Sequence, residues 1–333
     1  MINYLSYDTK FNDAIYDLFS DFQKEDNFYK ELTKEEFCNH LFGNWGFQKD
    51  GTFVALDGEK LVGVISANVR DNDLGNENAC GYIHTIIVKK EYRRCGIGSK
   101  LLEHVHEYMK SKGVGGSRVV FLGAVNYPWY IPHTDKHIHP GCPGVKINSE
   151  YYIFLYHHGY FVNSIHEGFH VNLKTYEYPQ KVVDIINKNK EEGITVELYD
   201  KNKHFGVDEF CEIINNPGFA YSIKYNLEKR EKPYPFVVAS DHGKMVGWTG
   251  SIYREASGRG HLDGICVSPE VRGKGLGTAI FATLCKELKK LDSDYMTLFT
   301  GLDNPARYIY LGAGFNVACS FADMKKNFNN KQK

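Results

Sequence analysis

Two stretches of this chain are spelled alike, and each reads as a strand that runs into a glycine-rich turn and then a helix. One runs from His261 to Leu291. Its apolar residues Leu262, Ile265 and Val267 stop at Ser268-Pro269, and Arg272, Gly275 and Gly277 follow. Then Leu276, Ile280, Leu284, Leu288 and Leu291 recur at helical spacing. The other begins at Tyr82. Its strand valine is Val88, followed by Arg93, Gly96 and Gly98, with Ile97, Leu101, Val105 and Met109 as the helical stripe. Arg93 and Arg272 are 179 residues apart. A glycine turn between strand and helix start is a cradle for an anion. The backbone can approach closely, several N–H groups converge, and the positive end of the helix dipole favours negative charge.

The likeness extends beyond the cradles. Asp57-Gly58-Glu59-Lys60 and Asp241-His242-Gly243-Lys244 each read as a hairpin turn ahead of a strand. The stretch Ile2 to Asp8 resembles Ile194 to Asp200, and Gly159-Tyr160-Phe161 parallels Gly314-Phe315. The last pair is 155 residues apart, so the first copy holds 24 extra residues after its cradle helix. A repeat of this length, found twice, means duplicated domains, and 333 residues suit two. The first domain is expected over residues 1–175 and the second over 192–330. Residues 176–191 form a connector, read as one helix. The Lys-rich end from Lys325 to Lys333 reads as a frayed tail.

Charge narrows the partners. Forty basic residues against 41 acidic ones give a net charge of −1, which offers nothing to draw nucleic acid or an anionic membrane. The N-terminus lacks the pattern of a secretory signal, and no apolar run reaches membrane-spanning length. Eight scattered cysteines without a Cys-x-x-Cys pair read as reduced thiols of a cytoplasmic protein.

At the two cradles the chain resembles the GNAT superfamily of acyl-CoA N-acyltransferases, in its tandem form. That family carries Arg/Gln-x-x-Gly-x-Gly/Ala between a central strand and a helix. Here it stands as Arg272-Gly273-Lys274-Gly275-Leu276-Gly277 and as Arg93-Arg94-Cys95-Gly96-Ile97-Gly98. The resemblance implies an α/β fold of the α+β type: two domains, each a mixed, mostly antiparallel sheet flanked by helices. It implies acetyl-CoA as cosubstrate. Pantetheine would pair with the exposed backbone of a strand that leaves its neighbour, here around Cys266 and Val267. The pyrophosphate would lie on Arg272, Gly273, Lys274, Gly275, Leu276, Gly277 and Thr278. The matching sites in the first domain are Ile87, Val88, Arg93, Arg94, Cys95, Gly96, Ile97, Gly98 and Ser99.

Amide formation from an amine and a thioester needs a deprotonated amine, a stabilised oxyanion and a proton for the leaving thiolate. Family members often supply that proton from a tyrosine four residues before a Gly-Phe pair. Tyr310 stands four before Gly314, which makes it the general-acid candidate. The family's asparagine in this segment falls at Asp303, with Asn304 one place closer to the tyrosine, and Asn304 is counted among the cofactor contacts. In the first domain Leu155 holds the tyrosine's place and Tyr156 lies about 100° round the helix. The second domain is therefore expected to be the better catalyst. His261 and Asp263 alternate onto one strand face and offer a proton acceptor, or a solvated strand end. Tyr82 and His84 match them in the first domain. Cys266 reads as a small residue beside the ligand rather than a nucleophile.

The 24 extra residues include a histidine-rich run over 126–145, with His133, His137, His139 and Cys142 among prolines and glycines. These four could ligate a metal, but their spacing matches no finger or catalytic zinc arrangement. With Tyr127, Trp129 and Tyr130 beside them, the run reads as a lid over an acceptor pocket, and no metal is expected. The function expected is transfer of acetyl from acetyl-CoA to a primary amine of a small molecule or peptide, by direct attack in a ternary complex. A non-catalytic acyl-CoA sensor or scaffold is the alternative. Neither the acceptor nor the oligomeric state can be read from the sequence.

Overall fold

In the computed structural model, residues 1–25, 27–120 and 127–328 are described. The chain divides into two compact units. The first takes residues 1–167 and 319–333, the second 168–318.

The first unit grows from alternating strands joined by tight turns. β1 (Ile2–Ser6) leads through α1 (Asn12–Glu25) and α2 (Lys34–Leu41) to β2 (Thr52–Asp57) and β3 (Lys60–Asn68). The turn of this hairpin places Gly58 at φ +62°, as the sequence pattern requires. β4 (Cys80–Val88) runs antiparallel to β3, then α3 (Ile97–Ser111) leads to β5 (Gly116–Val119). β4 and β5 pair in parallel over Cys80–Tyr82. Leu101, Val105 and Met109 of α3 pack on one face of the sheet, and Phe19, Phe37 and Leu41 of α1 and α2 pack on the other. Along β3 and β4, Ser66 faces Thr85 but Ala67 faces Ile83, so His84 is the extra residue of a bulge.

The histidine-rich insertion folds as the small hairpin β6 (Trp129–Tyr130) and β7 (Ile138–His139), then β8 (Val145–Lys146). Trp129 is fully buried and donates from Nε1 to the Gly141 carbonyl. The insertion is tied to the α1–α2 connection by Lys30 N–H to Pro128 O and Tyr130 N–H to Phe28 O. Asn126, its first residue, lies outside the described residues. α4 (Glu150–His157) and β9 (Phe161–Asn172) follow.

The second unit repeats the plan. α5 (Gln180–Glu191) precedes β10 (Ile194–Leu198), then come α6 (Val207–Ile213), α7 (Pro217–Lys224), and the hairpin β11 (Val237–Asp241) and β12 (Lys244–Gly250). β13 (Gly264–Val267), α8 (Leu276–Lys290), β14 (Tyr295–Gly301) and α9 (Ala306–Gly312) complete it. The sheet order β10-β11-β12-β13 is antiparallel throughout. α8 carries the core, with Leu276, Ile280, Phe281, Leu284 and Leu288 buried.

β15 (Asn316–Asn327) closes the chain, and its course differs from the boundaries read in the sequence. Residues 319–327 belong to the first unit, where Met324 to Asn327 pair antiparallel with Val119 to Gly116 of β5. Lys325 and Lys326 are therefore strand residues rather than part of a frayed tail. Strand pairing uses the backbone, and lysine composition does not forbid it. Asp323 anchors the strand. Its buried carboxylate accepts from Arg118 Nε at 2.8 Å and Nη2 at 2.5 Å, and from Asn163 Nδ2 at 2.7 Å. The expected connector is the helix α5, but it counts with the second unit rather than between two units. Residues 329–333 of the expected tail lie outside the described residues.

Candidate active site

In the second unit the site starts where β13 parts from its neighbour. A lone parallel bridge joins Arg259 to Tyr295, the matching place to the Cys80–Gly116 pair of the first unit. Beyond it, β13 pairs only with β12 among the described residues. Ser268 N–H bonds to Val246 O, so by antiparallel alternation Cys266 and Gly264 turn their backbone toward β12. The N–H and C=O groups of Ile265 and Val267 then point to the open side. An unpaired row of this kind invites an extended ligand with its own donors and acceptors.

The strand leads into the cradle. Gly273 and Gly275 take φ of +82° and +77°, and Gly275 caps the start of α8 in the left-handed region. Alternate left-handed residues turn successive N–H groups into one concavity, at the positive end of a 15-residue helix. Arg272 is exposed and makes no ion pair or side-chain hydrogen bond among the described residues. The Lys274 carbonyl accepts from Asn189 Nδ2 at 3.0 Å, its ammonium pairs with Glu192 at 2.7 Å, and Ile185 packs beside Gly275. The flanking residues Leu276, Gly277 and Thr278 form the first turn of α8, where Ile309 and Gly312 of α9 pack on Gly277 and Thr278.

The first unit builds the same turn with a different chemistry. Arg94 and Gly96 take φ of +63° and +81°, in register with Gly273 and Gly275. Arg93 is already engaged: Nε donates to Val88 O at 3.0 Å, and Nη2 pairs with Glu25 at 2.8 Å. A cavity of about 200 Å³ lies there, lined by residues that include Leu18, Phe22, Glu25, Ile87, Val88 and Arg93. Cys95 is exposed, Ile97 and Gly98 begin α3, and the Ser99 hydroxyl bonds to His158 Nε2 at 2.8 Å.

His261 sits between two carboxylates. Its Nδ1 lies 2.9 Å from Glu255 Oε1 and its Nε2 lies 3.0 Å from Asp263 Oδ1. Burial disfavours the charged ring, but the hydrogen bonds to Asp263 and then Glu255 outweigh it, so the pKa is raised above the ordinary histidine value. Burial also opposes the charge on Asp263, yet bonds from His261 and the Ser251 N–H hold its pKa below the usual range. Glu255 further accepts from Arg259 Nη1 at 2.5 Å. Tyr253 stacks on the imidazole at 4.2 Å between centroids, and Tyr234 stacks on Tyr253 at 4.5 Å. Glu255 and Tyr253 escape sequence reasoning because they come from an irregular loop whose return to the strand has no periodic signature.

Tyr310 lies on α9 with its ring packed edgewise on Phe169 and tilted against Phe281. It is 6% exposed, and its hydroxyl has no hydrogen-bond partner among the described residues. Burial pushes its pKa up to about 12. The phenol therefore stays protonated in the working range and can donate. Asn304 Oδ1 is taken up by the Ala306 N–H, just ahead of α9. Burial pushes the Cys266 thiol up to about 12, which makes it a poor nucleophile. In the first unit Leu155 is wholly buried in the core and Tyr156 is exposed, so no tyrosine stands where Tyr310 does.

The sequence profile described as the acetyltransferase (GNAT) family matches residues 12–128 and 198–315. The chain belongs to this family. Both GNAT repeats fall on the units described above, and solved structures repeat the arrangement. A GCN5-related N-acetyltransferase from Sphaerobacter thermophilus matches 98% of this chain and 96% of its own, with a TM-score of 0.59 at 15% identity. A tandem GNAT protein from the clavulanic acid biosynthesis pathway, solved without AcCoA, matches 100% of both chains at a TM-score of 0.58 and 13% identity. A fungal multi-domain GH3 β-N-acetylglucosaminidase with a GCN5-related glucosamine N-acetyltransferase region gives a TM-score of 0.58 at 15% identity. There the match covers 98% of this chain but 38% of that one. These likenesses are likenesses of fold. No curated protein matches this sequence. Among the described residues, no His, Cys, Asp or Glu group is placed to hold a metal, and no helix is long and apolar enough to cross a membrane.

Proposed function

We propose that this GNAT protein, acting in the cytoplasm, transfers an acetyl group from acetyl-CoA to a primary amine, and that the second unit does the chemistry. The observation that carries this reading is the continuity of the open β13 edge with the Gly273–Gly275 cradle and the unpaired Arg272. The cradle fits a pyrophosphate, and the free backbone of Ile265 and Val267 fits the amide groups of pantetheine. Cys266, Val267, Lys274, Leu276, Gly277, Thr278 and Asn304 would complete the contacts.

The reaction balances with residues of this chain. The amine nitrogen attacks the thioester carbon, the C–S bond breaks, and the sulfur leaves with the electron pair. A strand N–H steadies the developing oxyanion. The ammonium proton passes to His261 or Asp263, and the Tyr310 phenol donates to the thiolate. Cys266 takes no part.

The first unit supports the second reading, an acyl-CoA sensor or scaffold, for its own half. Its Arg93 is held by Glu25 and it has no counterpart of Tyr310, so Ile87, Val88 and the Arg93–Ser99 turn would bind without turnover. One experiment tests the assignment: release of free thiol from acetyl-CoA with a panel of primary amines, followed with the intact chain. Thiol release that depends on amine supports transfer. Acetyl-CoA binding without release under every amine supports the sensor.

A further inference from the structure

β13 and β14 part sooner than their counterparts in the first unit, and a buried arginine stands where they part. In the first unit β4 and β5 pair in parallel through Cys80 with Gly116, Gly81 with Ser117 and Tyr82 with Arg118. The repeat sets Arg259 and Tyr295 in the places of Cys80 and Gly116, and there the pairing is a single bridge. Gly260 N–H bonds to Tyr295 O at 2.8 Å. A parallel ladder would next carry Leu262 N–H to Thr297 O. That bond is not made. Leu262 N–H has no backbone partner among the described residues, and Thr297 O accepts from Arg259 instead.

The arginine side chain is built into this position. Nε lies 3.0 Å from Thr297 Oγ1 and 3.3 Å from Thr297 O, and Nη2 lies 3.1 Å from the same carbonyl. Nη1 bonds to Glu255 Oε1 at 2.5 Å, which supplies the counter-charge. Arg259 is 8% exposed, and Thr297 is fully buried. Burying a guanidinium is costly even when it is paired, and an apolar residue of similar volume often serves stability as well or better. Cys80, buried in the same place, shows that the strand pairing there needs no charge. Stability alone therefore does not account for Arg259. What it does at Thr297 is take the acceptor that would continue the ladder.

We propose that Arg259 is a positioning residue for the cosubstrate: by capping the Thr297 carbonyl it stops β13 from pairing with β14 beyond Tyr295 and keeps the slot between them open for pantetheine. The inference rests on the reading of the second unit as an acetyl-CoA site. A slot already open in the free protein spares binding the loss of strand pairs. The freed backbone begins at Leu262 and continues to Ile265 and Val267, the groups that would meet the ligand's amides. The first unit has no arginine at this place, and its strands stay paired through Tyr82 and Arg118. The two units thus offer different lengths of open strand edge.

The test compares the intact chain with Arg259→Met, which keeps most of the side chain's bulk and removes every donor. Amide hydrogen exchange at Leu262 reads the ladder. Loss of a merely structural residue speeds exchange. Loss of the wedge instead lets Leu262 N–H reach Thr297 O and should slow its exchange about tenfold. Calorimetry reads the slot with two probes: acetyl-CoA, and 3′-phospho-ADP, which carries the pyrophosphate without pantetheine. One site should lose about tenfold in affinity for acetyl-CoA and keep its affinity for 3′-phospho-ADP. Leu262 exchange that is unchanged or faster overturns the proposal, and so does an equal loss for both probes or a loss for neither. Should Arg259→Met fail to fold, Arg259→Cys installs the residue of the first unit and is judged by the same two readouts. Neither readout needs turnover. A parent chain that binds acetyl-CoA but transfers nothing to any amine defeats transfer alone, whereas one that binds no acetyl-CoA defeats this inference too.

Discussion

The Nε2 of His261 lies 3.0 Å from Oδ1 of Asp263, two residues along the same strand, while Nδ1 is held at 2.9 Å by Glu255. With its pKa raised by these carboxylates, His261 accepts a proton only above that raised value. Transfer should therefore fall as pH drops through it. Asp263→Asn removes the stronger of the two supports, lowers the histidine pKa and moves the acid limb of kcat/KM to lower pH. An acid limb that stays in place would show that His261 is not the proton acceptor.

Tyr310→Phe keeps the ring against Phe169 and Phe281 and removes only the hydroxyl. The thiolate then leaves unassisted. Turnover should drop on the order of 100-fold with acetyl-CoA binding nearly unchanged. Equal turnover of variant and parent across the pH range would make Tyr310 a packing residue.

Gly275 combines φ +77° with a tight neighbour, since a methyl group there would start 3.0 Å from the Ile185 side chain. Gly275→Ala should cost about 1–2 kcal/mol for the left-handed backbone and more if Ile185 cannot yield. Thermal unfolding reads the loss. Calorimetry with acetyl-CoA should show the second unit's binding weakened, and full binding would move the cradle elsewhere.

Iodoacetamide should modify the exposed Cys95 and spare Cys266, whose thiol is held protonated by burial. Cys266→Ser should retain transfer to within about threefold. Loss of activity in that variant, with the fold intact, would argue for an acyl-thiol intermediate and against direct attack.

Asp323 is wholly buried, and Arg118, Asn163 and Ser164 all bond to it. Asp323→Ala leaves Arg118 uncompensated and should destabilise the first unit by about 3–5 kcal/mol, measured by urea unfolding. If Arg118→Met combined with Asp323→Leu restores stability, the loss came from the stranded charge rather than from the strand.

Local features were legible in the sequence. The hairpin turns, the glycines at positive φ and the stripe on α8 each follow from residues within one turn or strand. The pairing of the two repeats made the whole plan readable from a single motif. What escaped depends on distant partners. Nothing near Glu255 announces that its carboxylate will hold His261, and nothing in α5 announces Ile185 beside Gly275. The lysines at positions 325 and 326 carry a solvent-facing composition, yet their backbone completes a sheet.

The place of residues 319–327 in the first unit sets an order of events during synthesis. The ribosome makes β5 some two hundred residues before the strand that covers its edge. Until then that edge is a bare template on the nascent chain, open to pairing with other chains. It also removes modularity from the gene. A cut at the repeat boundary would leave one piece without its closing strand and the other with a strand it cannot use.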